Sequence, residues 1–178
     1  TSDKSYQNTG QLSAYSEDDR LGGHDPYSAS KACAEIVASS YRDSFFSPNN
    51  GISTGIATAR SGNVIGGGDW AEDRLIPDAM RAFAKGQPLI IRAPTATRPW
   101  QHVLEPLSGY LLLCKKLWRE PKKYSGAWNF GPDPSGIMPV EHVVSRLVDL
   151  YGHDACWHHD TSSNHMHEAE LLSLNISK

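Results

Sequence analysis

Short stretches with strand character alternate with helical-period segments along most of this chain, and that order confines it to α/β architectures. Residues 25–46 carry the period of a helix, and 55–60, small residues around Ile56 and Ala57, read as a buried parallel strand. Residues 76–85 predict a second helix, 88–92 a short strand, 105–119 a third helix, 127–130 a strand and 140–151 a fourth helix. The chain opens on a strand end at residues 1–4 and runs through a polar loop to about Gly23. It closes on a predicted strand at 170–175. Ser47-Pro48-Asn49-Asn50-Gly51 is a turn. On the first helix, Ala32, Ile36, Val37 and Tyr41 form the stripe expected to be buried. On the third, Leu107, Leu111, Leu112 and Lys115 fall at helical spacing, as core or subunit interface.

The chemistry starts on the first helix. Tyr27 and Lys31 are four residues apart, so a phenol and an ammonium share one face, one turn from each other. Asp25 predicts an N-cap, and Pro26 at the first helical position brings a pre-set backbone angle. The helix start and the lysine surround Tyr27 with positive potential, which favours the phenolate. A tyrosine so placed is equipped to take a proton from an alcohol. Ser2, Asp3 and Lys4 close a predicted strand upstream, and in open α/β sheets ligands bind outside the carboxyl ends of strands.

Three longer motifs carry a resemblance: Gly22-Gly23-His24-Asp25-Pro26-Tyr27-Ser28-Ala29-Ser30-Lys31, Ser61-Gly62-Asn63-Val64-Ile65-Gly66-Gly67-Gly68-Asp69-Trp70 and Thr97-Arg98-Pro99-Trp100-Gln101-His102-Val103. They resemble the short-chain dehydrogenase/reductase superfamily in its extended, nucleotide-sugar-modifying branch, and within it the CDP-glucose 4,6-dehydratases. The resemblance implies a Rossmann-like, doubly wound parallel sheet, present in part, with a smaller C-terminal substrate-binding region. Residues 1–64 would be the C-terminal half of the NAD-binding domain. Residues 65–178 would be mainly the nucleotide-sugar region, interleaved with the last Rossmann elements.

The same resemblance implies NAD as cofactor, CDP-glucose as substrate, and CDP-4-dehydro-6-deoxyglucose plus water as products. Tyr27 would take the proton of the sugar's 4-hydroxyl, with Ser2 hydrogen-bonded to that hydroxyl. Lys31 would hold the nicotinamide ribose, and Ser61 would face the nicotinamide. Asp3 would protonate the departing 6-hydroxyl. Asn63, Arg74, Leu75, Arg98 and Asn129 would contact the nucleotide sugar, with Arg98 forked onto its diphosphate. Lys4 departs from many dehydratases of this branch, which place a glutamate there as the carbon-5 base. It serves either as a deprotonated base or as a charge that stabilises the enolate. Two other readings stand beside this one: a different NDP-sugar 4,6-dehydratase or a 4-epimerase, and a non-catalytic scaffold that kept the fold. Epimerases normally lack the acid-base pair, so Asp3-Lys4 argues against them.

Composition narrows the classes. A net charge of −3 over 178 residues speaks against a nucleic-acid binder. No apolar run approaches the roughly 18 residues of a membrane span. Cys33, Cys114 and Cys156 are odd in number and match no zinc spacing, which fits a reducing, cytoplasmic setting. His153, His158, His159, His165 and His167 crowd the tail, but their spacing is that of a solvated loop and predicts no metal site. No strand leads into a glycine-rich dinucleotide loop, and Gly66-Gly67-Gly68 runs into Asp69-Trp70-Ala71-Glu72-Asp73 instead. The expectation is therefore the C-terminal part of a larger enzyme, which alone binds NAD poorly. Members of the branch often pair through helices, so a homodimer or higher homo-oligomer is expected.

Overall fold

A computed structural model describes residues 1–46, 54–162 and 171–178. In chain order its elements are α1 (Pro26–Phe45), β1 (Ala57–Ser61), β2 (Val64–Ile65), α2 (Leu75–Ala84), β3 (Leu89–Ile91), β4 (Thr97–Pro99), β5 (Gln101–His102), α3 (Leu104–Arg119), α4 (Pro121–Tyr124), β6 (Gly126–Phe130), β7 (Ile137–Pro139), α5 (Val140–Tyr151) and β8 (Trp157–His159). The four expected helices and the strands at 55–60, 88–92 and 127–130 are all present, with ends displaced by a residue or two. The turn expected at 47–51, together with His165 and His167, lies outside the described residues.

β1 and β6 pair in parallel over five residues, from Ala57 opposite Gly126 to Ser61 opposite Phe130. β2–β5 and β3–β8 are also parallel, and β4–β7 is antiparallel. Side chains alternate across a strand, which sorts the neighbours of β1 and β6. Thr58 and Arg60 meet Glu35 of α1. Asn129, opposite Arg60, shares the Tyr6 hydroxyl with it. The next residue, Phe130, points the other way and meets Tyr110 of α3 edge-on, ring centroids 5.0 Å apart. So α1 and α3 cover opposite faces of one parallel pair, the α/β arrangement that the alternation of elements predicts.

Asp25 caps α1 as expected: its carboxylate accepts from the Ser28 backbone N–H at 3.0 Å and the Ser28 hydroxyl at 2.6 Å. Those bonds hold the Asp25 carboxyl below its usual range. A second layer packs α2, β3 and α5 around Ala79, Phe83, Leu89, Ile91, Val140 and Val144, with Trp157 against them.

Four expectations are corrected. On α1 the buried line is Ser28, Ala32 and Glu35; of the expected apolar stripe only Ala32 is buried, while Ile36, Val37 and Tyr41 are each 55% exposed. Val37, Tyr41 and Phe45 repeat every four residues on the helix side away from the sheet. Residues 1–4 are not a plain strand end, because Ser2 caps a 3-10 turn over Asp3–Ser5. The histidine-rich stretch is not all loop, since Trp157 anchors β8 beside β3. The predicted strand at 170–175 reduces, in its described part, to one parallel bridge between Tyr15 and Leu174.

Gly109 shows how closely α3 lies on β6. A Cβ there would stand 2.4 Å from Phe130 Cε1 and 2.5 Å from Cδ1, closer than carbon atoms approach without displacement. Alanine would otherwise improve a helix interior by about 1 kcal/mol. The clash outweighs this, so Gly109→Ala is expected to destabilise the fold by about 1–3 kcal/mol. A urea titration reads the sign, and a variant more stable than the parent would refute the close approach.

Candidate active site

Packing α1 onto β1 brings its first two turns beside the 3-10 turn at the chain start. Tyr27 is 53% exposed, and two cations flank its ring: Lys31 Nζ at 5.2 Å from the centroid and Lys4 Nζ at 5.8 Å. Of the expected set Ser2, Asp3, Lys4, Tyr27 and Lys31, the structure thus brings Lys4 and Lys31 together at Tyr27 from two separate segments, with Ser2 and Asp3 next to Lys4 in the chain.

Asp3 differs from its neighbours in being 3% exposed. Ser2 Oγ donates to Asp3 Oδ1 at 3.0 Å and accepts from the Lys4 backbone N–H at 3.2 Å. Asp3 Oδ2 is buried with no hydrogen-bond partner. Burial raises the Asp3 carboxyl from 3.8 to about 6, against the opposing pull of the Ser2 hydrogen bond and the charges of Lys4 and Arg98. The wall of this pocket is Gly62. A Cβ at that position would lie 2.5 Å from Pro99 Cγ and 2.9 Å from Asp3 Oδ2, so only glycine leaves room for the carboxyl.

Ser61, buried at the end of β1, accepts a hydrogen bond from Gln101 Nε2 at 2.8 Å. The Gln101 backbone N–H donates to the Asn63 carbonyl at 3.1 Å. Gln101 therefore holds the loop that carries both expected contact residues. Arg98 is 3% exposed on β4, close enough to act on the Asp3 charge, and its Nη1 donates to the Thr97 carbonyl at 2.8 Å.

Arg74, Leu75 and Asn129 are engaged differently. Arg74, at the start of α2, pairs with Asp69 at 3.5 Å with its side chain 60% exposed. Leu75 is half-buried against the α2–α5 core. Asn129 is 8% exposed, and its carboxamide bonds the Tyr6 hydroxyl and the carbonyls of Tyr15 and Asn175.

Glu35 and Arg60 were missed by sequence reasoning. Their ion pair, 2.8 Å long between side chains 2% and 4% exposed, lies directly beneath the site. Burial works against the Glu35 anion, but hydrogen bonds from Arg60, Thr1 and Thr58 outweigh it and hold the carboxyl below its usual range. Spacing carried a signal, since Glu35 follows Lys31 by one helical turn and Tyr27 by two. Among the described residues, no three histidine, cysteine or acidic side chains gather as a metal site. No described helix is long and apolar enough to cross a membrane.

A curated CDP-glucose 4,6-dehydratase of Salmonella typhimurium strain LT2 is 53% identical over 182 residues, covering 100% of this chain and 50% of that protein. The chain thus spans about half the length of the curated relative it matches. Among solved structures, dTDP-glucose 4,6-dehydratase from Bacillus anthracis, in complex with NAD, aligns over 99% of this chain and 51% of its own, with TM-score 0.74 and 21% identity. UDP-glucuronic acid 4-epimerase from Bacillus cereus, in complex with UDP-glucuronic acid and NAD, aligns over 99% and 51%, with TM-score 0.77 and 20% identity. These two likenesses show a shared Rossmann-type fold. Residues 1–131 match the NAD dependent epimerase/dehydratase family, and with the parallel α/β fold now in place the conclusion is plain: the chain belongs to that family.

Proposed function

We propose that this chain carries the reacting groups of a CDP-glucose 4,6-dehydratase, which converts CDP-glucose to CDP-4-dehydro-6-deoxyglucose and water. The observation that carries this reading is the meeting of Lys31 and Lys4 at the Tyr27 ring, with a buried Asp3 one residue before Lys4. The 53% identity with the Salmonella enzyme supports the choice of nucleotide. A 4-epimerase remains the second reading on fold alone, and the Asp3-Lys4 pair favours dehydration over it.

The donor set fits the nicotinamide-ribose end of NAD: an ammonium with three donors beside a half-exposed phenol suits a vicinal diol. NAD, when bound, supplies the hydride acceptor and donor that the net reaction needs. Lys31 holds the ribose and keeps positive charge by Tyr27, with Ser61 on the nicotinamide side. Tyr27 takes the proton of the sugar's 4-hydroxyl as carbon 4 becomes a ketone, and Ser2 hydrogen-bonds that oxygen. The ketone makes the carbon-5 proton acidic. Lys4 serves carbon 5, as base or as the charge that stabilises the enolate. Asp3, in its neutral form, gives its proton to the 6-hydroxyl, which leaves as water. Arg98, Asn63, Arg74, Leu75 and Asn129 are assigned to the nucleotide sugar, Arg98 to its diphosphate. In this division residues 1–64 are the C-terminal half of the NAD-binding domain, with the catalytic tyrosine and lysine, and 65–178 are mainly the nucleotide-sugar region, interleaved with the last Rossmann elements.

The apolar face of Val37, Tyr41 and Phe45 suits pairing with a second copy, and the three free, separated cysteines suit the cytoplasm. Sedimentation of the complete enzyme tests the first point: Tyr41→Glu is expected to shift a dimer to monomer.

Tyr27→Phe in the complete enzyme is expected to lower kcat for ketosugar formation from CDP-glucose by at least about a hundredfold. The alkaline absorbance of the product reads this, and normal turnover would end the catalytic account.

Asp3 also gives a pH signature. Its folded-state value of about 6 lies above the ordinary 3.8. Below about pH 4 the acid is neutral folded or unfolded, and its penalty is absent. As pH rises through about 6 only the unfolded chain ionises freely, so stability falls by about 3 kcal/mol. Asp3→Asn removes that loss. Its melting temperature is expected to gain on the parent between about pH 4 and pH 7; a constant difference would contradict the raised value.

A further inference from the structure

We propose that Glu35 and Arg60 are positioning residues for the reaction, holding the helix that bears Tyr27 and Lys31 at a fixed distance from the turn that bears Asp3 and Lys4. This rests on the reading of those four residues as the reacting groups. Glu35 occupies the α1 face that also carries Tyr27 and Lys31, and Ser28, Ala32 and Glu35 are the buried residues of that helix. Its two carboxylate oxygens divide their partners. Oε2 accepts from Arg60 Nη2 at 2.8 Å and from Thr58 Oγ1 at 2.7 Å, fastening α1 to β1. Oε1 accepts from Thr1 Oγ1, fastening α1 to the start of the acid-bearing segment. Arg60 secures that segment at its other end, because its Nη1 donates to the Tyr6 hydroxyl at 2.8 Å and its guanidinium lies 4.9 Å from the Tyr6 ring centroid. The same nitrogen also donates to the Glu17 carbonyl at 3.0 Å.

Ser2, Asp3 and Lys4 are thus held between Thr1, bound to one partner of the ion pair, and Tyr6, bound to the other. Stability is a weak reason for such an arrangement. Buried pairs often do no better than apolar residues of the same size, and Arg60 Nε is itself buried without a partner. Geometry is the stronger reason, since a misplacement of about 1 Å between reacting groups lowers a rate by about a hundredfold.

The test uses the complete enzyme and the paired replacement Glu35→Met with Arg60→Met, which removes both charges and fills their volume. The melting temperature is expected to stay close to the parent's, with KM for CDP-glucose within about twofold and kcat lower by about tenfold to a hundredfold. Recovery of full kcat along with stability would show an ordinary structural pair and overturn the proposal. If the paired variant does not fold, Glu35→Asp keeps the charge on an arm one methylene shorter. It is expected to lower kcat about tenfold at unchanged KM, and an unchanged kcat is again the overturning result. Tyr27→Phe, assayed beside them, separates the two claims. If it is inactive while the paired variant is fully active, only the positioning role falls. If it turns over normally, the reading of the site falls and the positioning role with it.

Discussion

Parallel pairing of β1 with β6 is the constraint on which the remaining geometry depends. Its five-residue register puts Arg60 opposite Asn129 and Ser61 opposite Phe130. With a side-chain period of two, a one-residue slip of β1 would turn Arg60 toward α3, and one of β6 would turn Asn129 toward α3 and Phe130 toward α1. Neither exchange is tolerable, because a guanidinium would enter an apolar contact and the acidic Glu35 would lose its counter-charge. The register therefore selects which helix can lie on which face. Since Glu35 sits on the same helix as Tyr27, the position of the phenol follows from strand pairing some distance below it.

The site sets two carbonyl-chemistry tools in opposite environments. Tyr27 stands half in solvent, with the ammonium groups of Lys31 and Lys4 beside its ring. Asp3, next to Lys4 in the chain, is buried, where the neutral acid is favoured. In the proposed reaction the phenol flanked by cations is the proton acceptor and the buried acid the proton donor. The three residues Ser2, Asp3 and Lys4 achieve this in one 3-10 turn, whose geometry sinks Asp3 and leaves Lys4 exposed.

Much of this was legible in the chain because helices announce themselves by period and by caps. Asp25-Pro26 marked the start of α1 to the residue, and the parallel strand at Ala57–Ser61 was visible as a run of small, buried-type residues. Periodicity, however, identifies an apolar side without saying what covers it. The stripe of Ala32, Ile36, Val37 and Tyr41 looked like the buried side of α1, yet the sheet contacts the side carrying Ser28, Ala32 and Glu35. Small residues allow close approach there, and a single carboxylate meets its partners across the gap. β2, β4, β5 and β7 are two or three residues long, too short to display any period, and tertiary pairing alone creates them. Asn129 illustrates the same limit for function: its strand-end position suggested a ligand contact, while its carboxamide also links Tyr6 to two loop carbonyls.

Gly62 ties two distant stretches of the chain into a single unit of inheritance. The space for its missing side chain is already filled by Pro99 on one side and by the carboxyl of Asp3 on the other. Drift at position 62 is therefore barred until both of those neighbours have yielded. Over generations the three positions would be expected to change together or stay as they are.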